Sequence, residues 1–312
     1  MLKKIFYLII RIIIAFGLLT LLFKKLNLKE SFNLIFKLNL FFYLLSLFLI
    51  LIFQFISVYR WQYTLKINNL NLNFWKLLKI HFISIFLQNF LPTTFGQDIV
   101  KGALTFKNYP KIRVASSLII SRICGIFVLL IFANLSLIFI KKSFYNLKNY
   151  SLIFILLYTA LLFLLFNKNF QYFLIKLYNR INLKFFKKLK IEIFFEKINV
   201  YKEFNVFFVI LILSALLNFI LILYNWILFL SFGVNINLKY FLLYIPIITF
   251  ITFLPISIGG LGIRENLYYY FFKSIVNENL IGGCIILFLF NLILFSLPGA
   301  IFLIFREKDL KK

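Results

Sequence analysis

Phe90-Leu91-Pro92-Thr93-Thr94-Phe95-Gly96 and Phe253-Leu254-Pro255-Ile256-Ser257-Ile258-Gly259 spell one pattern, FLPxxxG, twice, 163 residues apart. Each copy ends an apolar run that is too short to cross a bilayer. Leu77–Leu91 gives 15 residues, about 22 Å of helix against a hydrocarbon core of about 30 Å. Tyr240–Leu254 is as short, and Leu261–Val276 after it is short again. Proline removes a backbone donor and glycine loosens the chain, so a helix stops there. Inside a bilayer such a stop is tolerated only where protein or a wet cavity satisfies the freed backbone groups. Both breaks also carry charge. Lys101 and Arg264 each stand nine positions after a proline, with Asp98 and Glu265 close by. Two apolar helices interrupted in corresponding places predict a polar site near the membrane midplane.

Composition sets the surroundings. The 312-residue chain is 63% hydrophobic and 21% aromatic, with mean hydropathy +0.99, far above soluble domains. No stretch is long and polar enough for a separate soluble domain, so 1–312 reads as one membrane domain. The net charge of +26 would point to nucleic acid in a soluble protein. Here the lysines and arginines fill short loops between apolar spans, which predicts topology signals and attraction to anionic lipid head groups, with no nucleic-acid partner. Cys124 and Cys284 lie inside apolar helices and offer neither a disulfide framework nor metal-ligand spacing. Met1-Leu2-Lys3-Lys4 and the run after it imitate a secretion signal. No small-residue cleavage site precedes Lys24, so the segment reads as a retained first helix.

The expected architecture is all-α and polytopic, with eight hydrophobic segments. Six approach spanning length, at about 5–23, 40–59, 114–140, 147–166, 206–232 and 280–305, and the two broken segments read as re-entrant hairpins. With the N-terminus inside, this plan puts 23 basic residues on the inner face and 10 on the outer. If every segment crossed, the nine basic residues between Lys168 and Lys202 would face outside, against the positive-inside rule. N- and C-termini are therefore expected in the cytoplasm. The hairpins then enter from opposite faces, and the halves 1–145 and 146–312 form an inverted repeat. The second half holds a cytoplasmic insert at about 168–204, whose Lys184–Phe204 portion reads as an amphipathic interfacial helix.

Around the second break, Gly259, Gly260 and Gly262 allow a sharp turn and expose amides that suit an anion at the next helix start. Arg264 stands in its first turns, where a guanidinium grips phosphate with two parallel hydrogen bonds. Glu265 either holds Arg264 in the empty site or meets the amine of a head group; a tight turn with a local ion pair is the plainer reading. Around the first break, Asn89, Thr93, Asp98 and Lys101 are the corresponding head-group candidates, with helix capping by Thr94 or Asp98 as the modest alternative. Arg122 lies about 12 Å along its span by helical rise, with Asp98 or Glu265 as available partners. Pro92, Gly96, Pro255, Gly259, Gly260 and Gly262 are the structural breaks. His81, the lone histidine, reads as a satisfied polar contact. No catalytic triad, metal cluster or nucleotide loop is spelled, so neither enzyme chemistry, a metal nor a cofactor is expected.

At these residues the chain resembles the lysylphosphatidylglycerol synthase transmembrane-region family, also called flippase-like membrane proteins. The family's Asn, Leu-Pro, Gly-Gly-Asp and following Arg correspond to Asn89, Leu91-Pro92, Gly96-Gln97-Asp98 and Lys101. Its Asp-Arg pair and Gly become Ser121-Arg122 and Gly125. Its Pro and Gly-Gly-x-Gly-x-Arg-Glu are met in full by Pro255, Gly259, Gly260, Gly262, Arg264 and Glu265. Gln97, Lys101 and Ser121 depart from the pattern, and Ser121 leaves Arg122 without the family's neighbouring acid. The resemblance implies a bacterial inner-membrane translocase for an anionic or aminoacylated phospholipid or a polyprenyl-linked lipid, without the soluble synthase domain. Membrane lipids are the expected partners. The alternative is a non-catalytic partner or transferase subunit in envelope glycolipid assembly, bound to an envelope-synthesis enzyme.

Overall fold

The computed structural model describes residues 17–91, 95–138, 145–180, 191–253, 257 and 259–309. Pro92, Thr93 and Pro255 lie outside them, as does most of the expected first span. Within these bounds every regular element is a helix, and the chain is an all-α polytopic membrane protein. Four helices are long and apolar enough to cross a bilayer: α3 (Leu40–Ile67), α6 (Lys111–Ile138), α10 (Phe204–Leu230) and α13 (Glu278–Asp309). The other elements are α1 (17–25), α2 (Leu28–Ile35), α4 (Phe74–Gln88), α5 (Gly96–Thr105), α7 (Tyr145–Phe166), α8 (Lys168–Arg180), α9 (Ile191–Asn199), a 3-10 turn (Val200–Lys202), α11 (Leu238–Thr252) and α12 (Ile263–Phe272).

The long helices wear apolar side chains on their outer faces. Phe204, Phe208, Ile212, Leu216 and Phe219 follow one another every three or four residues along α10, and all are exposed. Phe290, Ile293, Leu297, Ile301 and Ile304 do the same on α13. Stripes of this kind are stable only when the surrounding solvent is lipid. The spans also extend beyond the apolar windows. The expected 40–59 segment continues as helix to Ile67, because nothing in Arg60–Ile67 breaks a helix. Arg60, which the sequence places among loop charges, is therefore helical and half-buried, and its Nη1 donates to Ser214 Oγ at 2.9 Å.

Both breaks have the same dimensions. Helix α4 has 15 residues and α5 has 10; α11 has 15 and α12 has 10. Each long arm is about 22 Å by helical rise.

The chain divides into two compact units, both discontinuous in sequence. The first comprises 1–55, 75–101 and 219–312; the second comprises 56–74 and 102–218. In the first unit α13 packs on α2 and α12, and α12 on α11. Small residues let α13 approach closely. A Cβ at Gly282 would lie 2.4 Å from Ser31 Oγ, and one at Gly299 would lie 2.1 Å from the Phe82 carbonyl oxygen of α4. Phe229, Phe241 and Phe272 form a ring cluster with centroids 4.8–5.1 Å apart.

In the second unit α6 packs on α7 and α9. Phe195 and Ile198 of α9 are buried, as is Tyr201 of the 3-10 turn. The apolar side of this part of the insert thus faces protein. Tyr201 donates to the Thr64 carbonyl at 2.7 Å and accepts from Asn68 Nδ2, which ties the turn to the end of α3.

Candidate functional site

The two breaks and Arg122, like Arg60 in α3, keep charge away from the loops of this apolar chain. At the first break, Gly96 opens α5 tightly against the end of α4: a Cβ there would sit 3.1 Å from Leu91 Cβ and 3.3 Å from Gln88 Cγ. Asn89 is half-buried, and its amide donates to the Phe86 carbonyl at 3.2 Å, the final turn of α4. Asp98, in the first turn of α5, is half-buried, and Lys101 is 5% exposed. The centre of this region is His81, also buried. Its Nε2 pairs with Gln54 Oε1 at 2.8 Å and its Nδ1 lies 3.5 Å from Gln97 Nε2. Lys101 is near enough for its charge to act on the imidazole. Gln97, where the family pattern has glycine, thus reaches into the same cluster one helical turn before Lys101.

At the second break the backbone is left-handed three times in four positions: Gly259 (φ +58°), Gly260 (φ +82°) and Gly262 (φ +79°). L side chains resist this conformation, which is why glycine stands there. The turn delivers Gly262 as the residue before α12. Glu265, 1% exposed, reaches back with Oε2 to accept the Gly262 amide at 2.6 Å. This is the carboxylate half of a capping box. Its Oε1 is buried and accepts no hydrogen bond from the described residues, a costly arrangement in an apolar interior.

Arg264 is half-buried beside it. Its guanidinium carbon lies 5.1 Å from the centroid of the Phe288 ring, a cation–π contact. Among the described residues no acceptor receives a hydrogen bond from that guanidinium.

A cavity of ≈ 10 Å3 separates these groups, the space of about one water. Arg264, Glu265, Asn225, Tyr268, Cys284 and Phe288 are among its walls, supplied by α10, α12 and α13. No described residue of the first break lines it. The polar rim continues outward from it. Tyr268 donates to Asn225 Oδ1; Asn291 Nδ2 donates to Tyr224 Oη at 3.0 Å, and Tyr43 donates to Asn291 Oδ1 at 2.9 Å.

The structure therefore brings Arg264 and Glu265 together, and separately gathers Lys101 with His81 and Gln97. Arg122 belongs to the second unit, on α6, and is half-buried. Ser121 beside it donates to the Ser117 carbonyl at 2.8 Å and lies 3.3 Å from Thr64 Oγ1. Where the family pattern has an acid, this chain has an internal hydroxyl contact. Among the described residues no three His, Cys, Asp or Glu side chains come together as a metal site would require.

Gln54, Asn225 and Tyr268 escaped the reading of the sequence, and Arg60 was counted there with the inner-face charges. Gln54 and Asn225 sit alone in apolar runs, and that isolation is the only local signal they give; Tyr268 is the first of three consecutive tyrosines, which gives none.

The family model described as the lysylphosphatidylglycerol synthase TM region matches residues 8–299. No curated protein and no solved structure matches the chain.

Proposed function

We propose that this chain, which belongs to the lysylphosphatidylglycerol synthase TM-region family, moves a lipid head group across the bilayer at its two helix breaks. The substrate class is an anionic or aminoacylated phospholipid or a polyprenyl-linked lipid. The membrane is the bacterial cytoplasmic membrane, with both termini inside. One observation carries the reading: Arg264 holds a half-buried guanidinium, stacked on Phe288 and with no donor taken up among the described residues, beside the buried and half-satisfied carboxylate of Glu265.

Charge kept in a membrane interior costs about 2.5–3.5 kcal/mol per residue and marks a substrate or ion path more often than a structural need. A guanidinium fork matches two phosphate oxygens, and Arg264 is already oriented by its ring contact. The spare lone pairs of Glu265 Oε1 suit an ammonium, as an aminoacylated head group would present. The cavity admits about one water, so it is closed to a head group in this state. Gly259, Gly260 and Gly262 are the hinges through which α12 would swing to open it. Asp98 and Lys101 at the first break, with Asn89 and Thr93, would receive the head group at the other stage.

The test is leaflet exchange of labelled lipids in liposomes holding the full chain. Exchange above protein-free liposomes for at least one anionic or aminoacylated lipid is expected. No acceleration across several lipid classes refutes transport. If the inactive chain also held an envelope glycosyltransferase tightly, a role as its membrane partner would replace this reading.

A further inference from the structure

A cavity of ≈ 590 Å3 opens in the second unit, among α6, α7, α8 and α10, and shares no described residue with either break. Its walls are apolar: Phe127 of α6, Leu162 and Phe166 of α7, and Phe207 of α10. Its rim is basic, formed by Lys168 at the start of α8 and Lys202 at the end of the 3-10 turn. Among the described residues no acid lines it; Glu203, next in the chain, stays outside the lining. Phe163, on the wall of α7, is 71% exposed, so the groove opens sideways onto the outer surface of the helices.

The groove is held in shape from several sides. Phe127 stacks on Tyr158 at 5.9 Å, and Tyr158 donates to the Ile123 carbonyl at 2.8 Å. Phe166 meets Phe207 edge-on at 5.9 Å. Asn167 accepts the amides of Asn169 and Phe170 at 2.9 and 3.2 Å, which fixes the start of α8 and with it Lys168. Gln171 and Asn199 exchange reciprocal amide bonds at 2.8 and 3.0 Å, joining α8 to α9. Lys202 follows Tyr201, whose side chain is fully buried and bonded to Thr64. Both lysines therefore rise from anchored backbone at the lining of a preformed apolar trough.

We propose that this groove binds one membrane phospholipid with an anionic head group, an acyl chain along Phe127, Phe166 and Phe207 and the phosphate between Lys168 and Lys202. The volume falls within the roughly 300–1,000 Å3 of pockets that bury small amphiphiles. Apolar walls without charge at the rim would take any lipid; two lysines without a counter-acid select a negative one. The inference does not depend on transport, because it concerns a site outside the breaks.

Native mass spectrometry of the full chain tests it, after equilibration with equal amounts of phosphatidylglycerol and phosphatidylcholine bearing the same acyl chains. The native chain should retain phosphatidylglycerol preferentially, by about fivefold for each lysine engaged. Lys168→Glu/Lys202→Glu should abolish that preference, Lys168→Arg/Lys202→Arg should keep it, and Lys24→Glu/Lys25→Glu should leave it unchanged. A phosphatidylglycerol analogue with a diazirine on its acyl chain should cross-link to the peptides containing Phe127 and Phe207. Equal retention of the two lipids by the native chain, an undiminished preference after charge reversal, or cross-links confined to other helices would each overturn the proposal.

Discussion

Adding one methyl group to Gly299 should separate α13 from α4. An alanine Cβ at that position would lie 2.1 Å from the Phe82 carbonyl oxygen, 2.6 Å from its carbon and 2.8 Å from Phe86 Cβ. Two of these neighbours are backbone, so no rotamer change relieves them, and α13 must retreat by about 1 Å or more to restore ordinary contact. Overpacking of this kind costs about 1–3 kcal/mol, and a clash with backbone belongs at the upper end. Alanine recovers about 1 kcal/mol of helix propensity, leaving a net loss of about 2 kcal/mol. The internal control is Gly125, also within a helix, where the nearest neighbour of a new Cβ is Arg60 Nη1 at 3.5 Å. There the propensity gain acts alone. Thermal unfolding of the full chain in detergent, followed by tryptophan fluorescence, should show Gly299→Ala melting about 4 °C lower than the native chain. Gly125→Ala should melt at or slightly above it. Equal shifts of the same sign for the two variants would refute the spacing argument.

Arg264→Ala should slow leaflet exchange of anionic lipid by about tenfold or more, the worth of one charged hydrogen bond, whereas Lys37→Ala should leave it unchanged; equal effects would remove Arg264 from the path. Glu265→Gln keeps an oxygen to accept the Gly262 amide, so the fold should survive while preference for aminoacylated over unmodified phosphatidylglycerol falls; an unaltered preference in the exchange assay would exclude the carboxylate from amine recognition. Tyr201→Phe leaves the Thr64 carbonyl and Asn68 Nδ2 without their shared hydroxyl, and should lower stability by about 1–3 kcal/mol, read as an earlier thermal transition. An unchanged transition would show that the turn is not held there.

The two breaks were legible because proline and glycine act locally and together weaken a helix; a single one is tolerated, as Pro246 is inside α11 and Pro298 inside α13. The spelling of the breaks sufficed to foresee two 15-residue arms, placed two or three residues late against Phe74–Gln88 and Leu238–Thr252. The Gly-Gly-x-Gly run foretold a sharp turn before Arg264, whose left-handed backbone the structure shows. Span ends were less legible. A hydropathy window closes at Arg60, yet hydrogen bonding along α3 does not stop for charge, and Ser214 rewards its continuation. The surroundings of His81 depend on Gln54 and Gln97, each 16 or more residues away, and chain spacing does not encode such meetings. The same holds for Tyr268 and Asn225, 43 residues apart. The closed cavity beside Glu265 was equally beyond reach, since its volume is set by how α10, α12 and α13 pack.

The interleaving of the two compact units has a consequence for biogenesis. Every residue of the second unit has been synthesised once Asn218 leaves the ribosome, whereas the first unit lacks α13 until the far end of the chain emerges. Helices α2 and α4 must therefore wait in the bilayer with Ser31 and the Phe82 carbonyl uncovered, until the glycines of α13 arrive to cap them. Membrane insertion and final assembly are thus separate events for this half of the molecule, and a chaperone or a lipid that shields the waiting surface would govern its yield.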